Sequence, residues 1–294
     1  MKDITLKHLR YACALADHGH FGQAADAVAV SQPALSMQIR DLEARLGMAL
    51  FERGRSVRVT AFGADFISRA RAILRSVDEL DEVVQMSQDG RLRRLRLGII
   101  PTVAPYLLPR VIDTVTQAAP GIDLQVRETV TPRLIADLGA GQLDAAIVAL
   151  PVSEPSLTEM TLLTEDFVLV RPAADAGRPV PAPGQLREMR LLLLEEGHCF
   201  RDQALAFCAM DSARPRDWLD GSALSTLVQM VAAGIGVTLI PEMAVPVETR
   251  AAAVDIARFA PAPPTRTIGL VWRRSNPLTA QMTRMGALLA DAVG

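Results

Sequence analysis

Residues 21–53, FGQAADAVAVSQPALSMQIRDLEARLGMALFER, divide into a short helical pattern, a turn and a longer helical pattern. Apolar residues recur at near-helical spacing from Phe21 to Val28. After a few residues Ser31 can cap a further helix with Gln32 and Pro33 in its first turn, and Gly47 stops that helix at about Leu46. Upstream, Leu6, Leu9, Tyr11, Cys13, Leu15 and Ala16 intermix with Lys7, His8, Arg10 and Asp17, a first helix closed by His18-Gly19-His20. Two short helices, a tight turn and a longer helix make a helix-turn-helix. Downstream, FERGRSVRVTAFG has two β-prone stretches about Gly54, which predict a hairpin wing carrying Arg53, Arg55 and Arg58.

In such a motif the second helix enters the major groove of DNA with its first residues toward the base edges. Those residues here are Ser31, Gln32, Pro33, Ser36 and Gln38, with Arg40, Arg53, Arg55 and Arg58 placed for phosphate or minor-groove contacts. Polar residues at a helix start also serve simply as caps, so a trihelical interaction module that never meets DNA has the same local pattern.

The whole chain has 294 residues, 50% hydrophobic and 22% charged, enough for two or three cores of roughly 100–200 residues each. A single small domain is excluded. The net charge of −2 conceals an asymmetry: residues 1–96 hold 15 Lys and Arg against 12 Asp and Glu, a net of +3, which leaves −5 for residues 97–294. All basic residues but Lys2 and Lys7 are arginine, whose planar fork suits bidentate phosphate contacts, although a GC-rich genome would favour arginine codons too. The three cysteines are too few for a disulfide-stapled secreted protein and predict a reducing compartment. The N-terminus lacks an unbroken apolar segment followed by a cleavage site, and no apolar run nears the ~18 residues of a membrane span. A soluble cytoplasmic protein is the expectation.

Beyond Thr60, Phe62, Phe66, Ala70, Ile73, Val77, Leu80 and Val84 recur at steps of four and three, the stripe of a long helix that asks for a partner helix or packs on its own domain. SQDGRLRRLR then breaks the pattern at Gly90, as a hinge would. The remainder alternates strands and helices: LRLGII, a helix about 106–118, DLQVRET, a helix about 131–140 and LDAAIVAL, in the βαβαβ order of a parallel sheet. A second series runs from TEDFVLVRP through LLLLEE, FRDQALAFC, SALSTLVQMVAAG and GVTLIP to TIGLVWRR and a terminal helix. Two α/β subdomains with the chain crossing between them would leave a cleft at their junction.

EEGHCFRDQALAFC places Cys199 and Cys208 nine residues apart. With His198 they form no zinc spacing that has a fourth ligand. On a helix they would stand half a turn and ~13 Å apart. A disulfide requires Cα atoms within about 7 Å, so bonding these two demands that the segment melt or refold. Cys199 opens the helical stretch, where the dipole is positive, between His198 and Arg201, all of which favour a thiolate. Two small buried hydrophobes would read the same way. Cys13 fits core packing, and His8, His18 and His20 fit surface or capping positions.

The stretch 21–53, followed by TAFGADF, resembles the N-terminal signature of the LysR-type transcriptional regulators, and the resemblance extends over the whole chain. It implies an α/β protein with an all-α front: a winged helix-turn-helix at 1–60, a linker helix at 61–90 that dimerises, and a two-lobed, periplasmic-binding-protein-like effector domain at 91–294. Lobe I would hold about 93–164 and 266–294, and lobe II about 165–265. Double-stranded promoter DNA and further copies of the chain, as dimer and tetramer, are the implied partners, with no membrane. IPTVAPYLLP, GHCFRDQALAFC, VAAGIGVTLIP and RTIGLVWR resemble the peroxide-sensing branch of that family more closely than the family at large. That resemblance implies that hydrogen peroxide oxidises Cys199 to a sulfenic acid and that Cys208 resolves it to a disulfide. A cysteine that reacted with peroxide in this way would need no metal or organic cofactor. It implies further that Thr102 and Thr131 bind peroxide, that His198 and Asp202 shape the pocket, and that Arg266 helps hold the thiolate. Without the family, Thr102 and Thr131 are a strand-end and a helix-cap hydroxyl. Ser225 stands where the branch usually has an acidic residue, and Trp218 with ARPRDW departs as well, so tetramer contacts and the path of the oxidised loop do not transfer. A regulator that binds a metabolite in the lobe cleft and a thiol peroxidase are the other readings, the latter having no need of the N-terminal module.

Overall fold

The computed structural model describes residues 4–54, 57–89, 92–182, 185–186, 189–208 and 220–294. The chain divides into two compact units, residues 1–90 and residues 91–294. In the first, α1 (Leu6–His18) opens on a reciprocal cap: the His8 amide donates to Thr5 Oγ1 and the Thr5 amide to His8 Nδ1. Gly19, at φ +62°, ends α1 in the left-handed conformation that glycine adopts without a Cβ clash. His20 Nδ1 accepts the Gly22 amide at the start of α2 (Phe21–Ala27). Ser31 Oγ accepts the Ala34 amide at the start of α3 (Gln32–Leu46). Leu35, Ile39 and Leu42, at steps of four and three, drive one face of α3 into a core with Leu9, Leu15 and Ala24. The wing is an antiparallel pair, β1 (Phe51–Arg53) and β2 (Val57–Val59).

The long helix α4 spans Ala61–Asp89. Gly63 lies so close to Leu50 that a Cβ there would sit 2.1 Å from the Leu50 carbonyl oxygen, so only glycine lets α4 start against the wing. Ile67 and Ala70 are buried in the same core, whereas Ile73, Leu80 and Val84 are 49%, 64% and 54% exposed. The apolar stripe therefore begins as ordinary core and continues onto the surface of the unit. Gly90, the hinge residue of the sequence pattern, lies outside the described residues, as does Arg55 of the wing.

The second unit contains β3 (Arg94–Ile99), α5 (Ala104–Ala118), β4 (Asp123–Glu128), α6 (Thr131–Gly139), β5 (Ala145–Leu150) and the 16-residue β6 (Leu157–Pro172). Then come β7 (Leu191–Leu194), α7 (Cys199–Phe207), β8 (Asp220–Gly221), α8 (Leu224–Ala232), β9 (Val237–Pro241) and α9 (Val245–Glu248). It closes with β10 (Val254–Arg258), β11 (Thr265–Arg273) and α10 (Thr279–Val293). Among the described residues the strands join in the order β4-β3-β5-β11-β6-β9-β7-β8, with β10 also on β6.

The expected parallel sheet is only partly present: β3 is parallel to β4 and β5, and β7 to β8 and β9, but β11 and β6 run antiparallel to their neighbours. The reason is connectivity. Strands β6 and β11 carry the chain from one lobe to the other and back, side by side, so they must point in opposite directions. Two apolar cores flank this crossing. Lobe I packs β3, β5, α5 and α10 around Trp272, and lobe II packs β6, β7, α7 and α8 around Phe167 and Phe200.

Candidate functional site

Three chain turns converge at the junction of the lobes. Ile100, Pro101 and Thr102 follow β3, Val130 and Thr131 open α6 after β4, and His198 and Cys199 open α7 after β7. All three lie at the carboxyl ends of strands, where open α/β sheets bind their ligands. Gly197 adopts φ +94°, a conformation costly for other residues, and this turn delivers His198 to the cap and Cys199 to the first position of α7. The seven residues line a small, partly open recess.

Its polar groups differ in how they are satisfied. The Thr131 hydroxyl is buried and has no hydrogen-bond partner among the described residues. Such a group is costly unless something fills the recess and bonds to it. Thr102 is 3% exposed, and its Oγ1 accepts a hydrogen bond from Arg266 Nη1 at 2.9 Å. Burial pushes the pKa of the half-buried His198 below the ordinary imidazole value, against a smaller upward pull from Glu195.

Cys199 and Cys208 lie at opposite ends of α7, and no disulfide joins them. Cys199 is half-buried and packs against the lobe I core, although its helix belongs to lobe II. Cys208 has no exposure at all and sits within the lobe II core beside Ala204 and Leu205. The helix between them separates the sulfurs by geometry, and the two cores separate them by packing.

Two features credited to the thiol from sequence are placed elsewhere. Arg201 Nη1 donates to the Leu194 carbonyl at 2.7 Å and pairs with Asp220 at 3.0 Å, so its charge is committed to the end of β7. Burial holds His198 toward its neutral form, so it adds no fixed positive charge beside Cys199. Asp202 is exposed and does not line the recess. Arg266 is buried behind Thr102 and reaches the recess through that residue's hydroxyl. Two residues were missed. Gln203, one turn on from Cys199 and on the same face of α7, carries a buried amide oxygen with no hydrogen-bond partner among the described residues. Its i, i+4 spacing from Cys199 was a readable signal. Glu165, paired with Arg266, left no sequence signal.

On the front unit Ser31, Gln32, Pro33 and Arg40 are exposed, and Ser36 and Gln38 are half-buried. Arg53 and Arg58 fall on the two strands of the wing, Arg58 exposed. Met37, absent from the sequence reading, is 62% exposed on the side of α3 opposite its buried face. His8 and His20 are caps, and His18 ends α1 in solvent. Cys13 is buried in the front core, where burial raises its pKa. Among the described residues no three His, Cys, Asp or Glu side chains are grouped to hold a metal, and no helix is long and apolar enough to cross a membrane.

Residues 6–64 match the bacterial regulatory helix-turn-helix model of the LysR family, and residues 88–294 match the LysR substrate-binding domain. Full-length OxyR of Pseudomonas aeruginosa, solved with a cysteine-to-aspartate substitution, is 36% identical with a TM-score of 0.75, covering 98% of this chain and 97% of that one. The chain belongs to the OxyR group of the LysR family. A Streptomyces viridosporus protein described as a probable hydrogen peroxide-inducible genes activator is 43% identical over 98% of this chain and 94% of its own. A cysteine-to-serine OxyR of Corynebacterium glutamicum, solved with hydrogen peroxide bound, is 33% identical with a TM-score of 0.66, covering 98% of this chain and 92% of that one.

Proposed function

We propose that this chain is a DNA-binding transcriptional regulator of the cytoplasm that hydrogen peroxide switches through Cys199 and Cys208. The observation that carries it is the recess itself, where the unpaired Thr131 hydroxyl and the Thr102 hydroxyl stand beside a half-buried cysteine at a helix N-terminus. The Cys199 thiolate attacks one peroxide oxygen. The O–O bond breaks, sulfur is oxidised to the sulfenic acid, and the leaving hydroxide takes a proton and departs as water. The Cys208 thiolate then attacks the Cys199 sulfur, forming the disulfide and releasing a second water. With α7 folded, the cysteines stand ~13 Å apart along the axis, beyond the reach of a disulfide. The second step therefore requires α7 to unwind and Cys208 to leave its core. This gives a two-state element driven by a redox event.

The DNA-facing surface is the start of α3, with Ser31, Gln32, Pro33 and Arg40 exposed and Ser36 and Gln38 half-buried, flanked by wing strands that carry Arg53 and Arg58; Arg55, between them in the sequence, is assigned to the same surface and lies outside the described residues. The exposed far part of the α4 stripe supports pairing with the same helix of a second copy, and a pair of such dimers would make a tetramer spanning two half-sites.

Brief treatment with equimolar peroxide, followed by mass mapping and a DNA footprint, tests the reading. The expected result is a Cys199–Cys208 disulfide with a changed footprint, both abolished by Cys199→Ser. A regulatory response that survives Cys199→Ser would favour a metabolite ligand, and sustained peroxide turnover above ~1 s⁻¹ with a thiol reductant would favour an enzyme.

A further inference from the structure

Arg266 has a fully buried side chain and uses both edges of its guanidinium. The side edge, Nε and Nη2, meets Glu165 Oε1 at 2.8 Å from each nitrogen. The end edge grips Thr102, with Nη1 donating to Oγ1 at 2.9 Å and Nη2 to the carbonyl at 3.0 Å. Glu165 is itself 8% exposed at the side chain, and its Oε2 accepts the Met243 amide at 2.9 Å. Glu165 and Arg266 face each other across β6 and β11, at the crossing between lobes. Phe200, next to Cys199, lies 5.4 Å from the guanidinium at its ring centre.

A hydroxyl has one hydrogen to donate. Because Arg266 occupies an acceptor position of Thr102 Oγ1 and carries no acceptor of its own, the Thr102 hydrogen is left to point elsewhere, and Thr102 lines the recess. The carboxylate is what orients this arrangement: it neutralises a buried cation and takes the side edge, which leaves the end edge for Thr102. We infer that Glu165 is a positioning residue for the peroxide reaction, fixing Arg266 so that Thr102 serves as a hydrogen-bond donor into the recess. Its chemical target is the peroxide oxygen that departs as hydroxide, where a preplaced donor counts most in the transition state. Through Met243, whose side chain packs on the lobe I core while its amide is held by Glu165, the same carboxylate keeps the recess in register with lobe II.

This inference rests on Cys199 being the peroxide-reactive thiol. The test measures the rate constant of Cys199 oxidation by hydrogen peroxide in the full-length protein, using wild type, Glu165→Gln, Thr102→Val, Thr102→Ser and the Glu165→Gln/Thr102→Val pair. Glu165→Gln and Thr102→Val are each expected to slow oxidation roughly ten- to a hundredfold, the scale of a lost transition-state donor. The double variant should be no slower than Thr102→Val alone, and Thr102→Ser, which keeps the hydroxyl, should stay near wild type. Multiplying effects in the double variant would mean that Glu165 acts independently of Thr102 and would overturn the proposal. An unchanged or faster Glu165→Gln does the same. Should Glu165→Gln not fold, Glu165→Asp takes its place in every comparison; and a Thr102→Val variant that oxidises at the wild-type rate refutes the proposal by itself. A wild-type Cys199 inert to peroxide removes the parent reading, a different result from a reactive wild type with an equally reactive Glu165→Gln.

Discussion

Replacing Leu205 by alanine should make the Cys199–Cys208 disulfide harder to reduce. Leu205 is 3% exposed, under α7, in the lobe II core. Truncation of such a leucine removes transfer free energy and leaves a cavity, costing about 2–5 kcal/mol. Because disulfide formation requires α7 to unwind, Leu205 leaves this packing on oxidation, and the cost falls on the dithiol form alone. Taking about 3 kcal/mol, and about 30 mV per 1.4 kcal/mol for a two-electron couple, the reduction potential moves about 60 mV more negative. The assay is a redox titration in thiol–disulfide buffers read by mass spectrometry. The control is Leu289→Ala, which truncates a leucine 1% exposed in the lobe I core. It should lower the denaturation midpoint comparably and leave the potential in place. A Leu205→Ala protein that is destabilised yet titrates at the wild-type potential would show that Leu205 stays packed in the disulfide form, and the unwinding of α7 would be refuted.

Three further outcomes are expected. The folded-state pKa of His198 lies below the unfolded value near 6.5, so the unfolded chain binds the extra proton first and stability falls as pH drops from about 6.5 toward the lowered value. Urea denaturation at pH 7.5 and pH 5 should show this loss shrinking in His198→Gln, and an identical loss in both proteins would count against it. Arg40→Ala removes an exposed cation from α3 and should weaken binding about equally to every duplex, reducing the slope of log affinity against log salt by about 1 in titrations at several salt concentrations. Leu80→Asp, at a site 64% exposed in the single chain, should leave the fold of a monomer intact but convert dimer to monomer in sedimentation velocity.

The front unit was legible almost residue by residue, because its signals are local. Ser31 and Gly47 bound α3 where the capping pattern places them, and the two wing strands pair, Arg53 opposite Val57, on either side of the Gly54 stretch. A cap, a turn and a 3.6-residue period each act within a few residues of chain. The period could not say which part of the α4 stripe stays bare, since that depends on which residues the front core reaches: Ala70 is inside it and Ile73 is not. The rear unit was legible as strands and helices but not as a sheet. Strand direction follows from the chain's double passage between lobes, which makes β6 and β11 antiparallel to each other, and β10 was not read at all because its half-exposed residues, VDIAR, carry no strong pattern.

By itself the amino-acid sequence determined the helix-turn-helix, the long helix, the α/β character of the remainder and the nine-residue spacing that keeps a helical Cys199 from Cys208. These follow from periodicity and rise per residue, which need no distant partner. Tertiary structure alone decided that the two cysteines belong to different cores, that Arg201 is spent on Asp220, and that Arg266 serves Thr102 under the direction of Glu165. Those partners are 164 and 101 residues apart in the chain, and a hydrogen bond of that span exists only once two strands have paired and two lobes have closed on a shared recess.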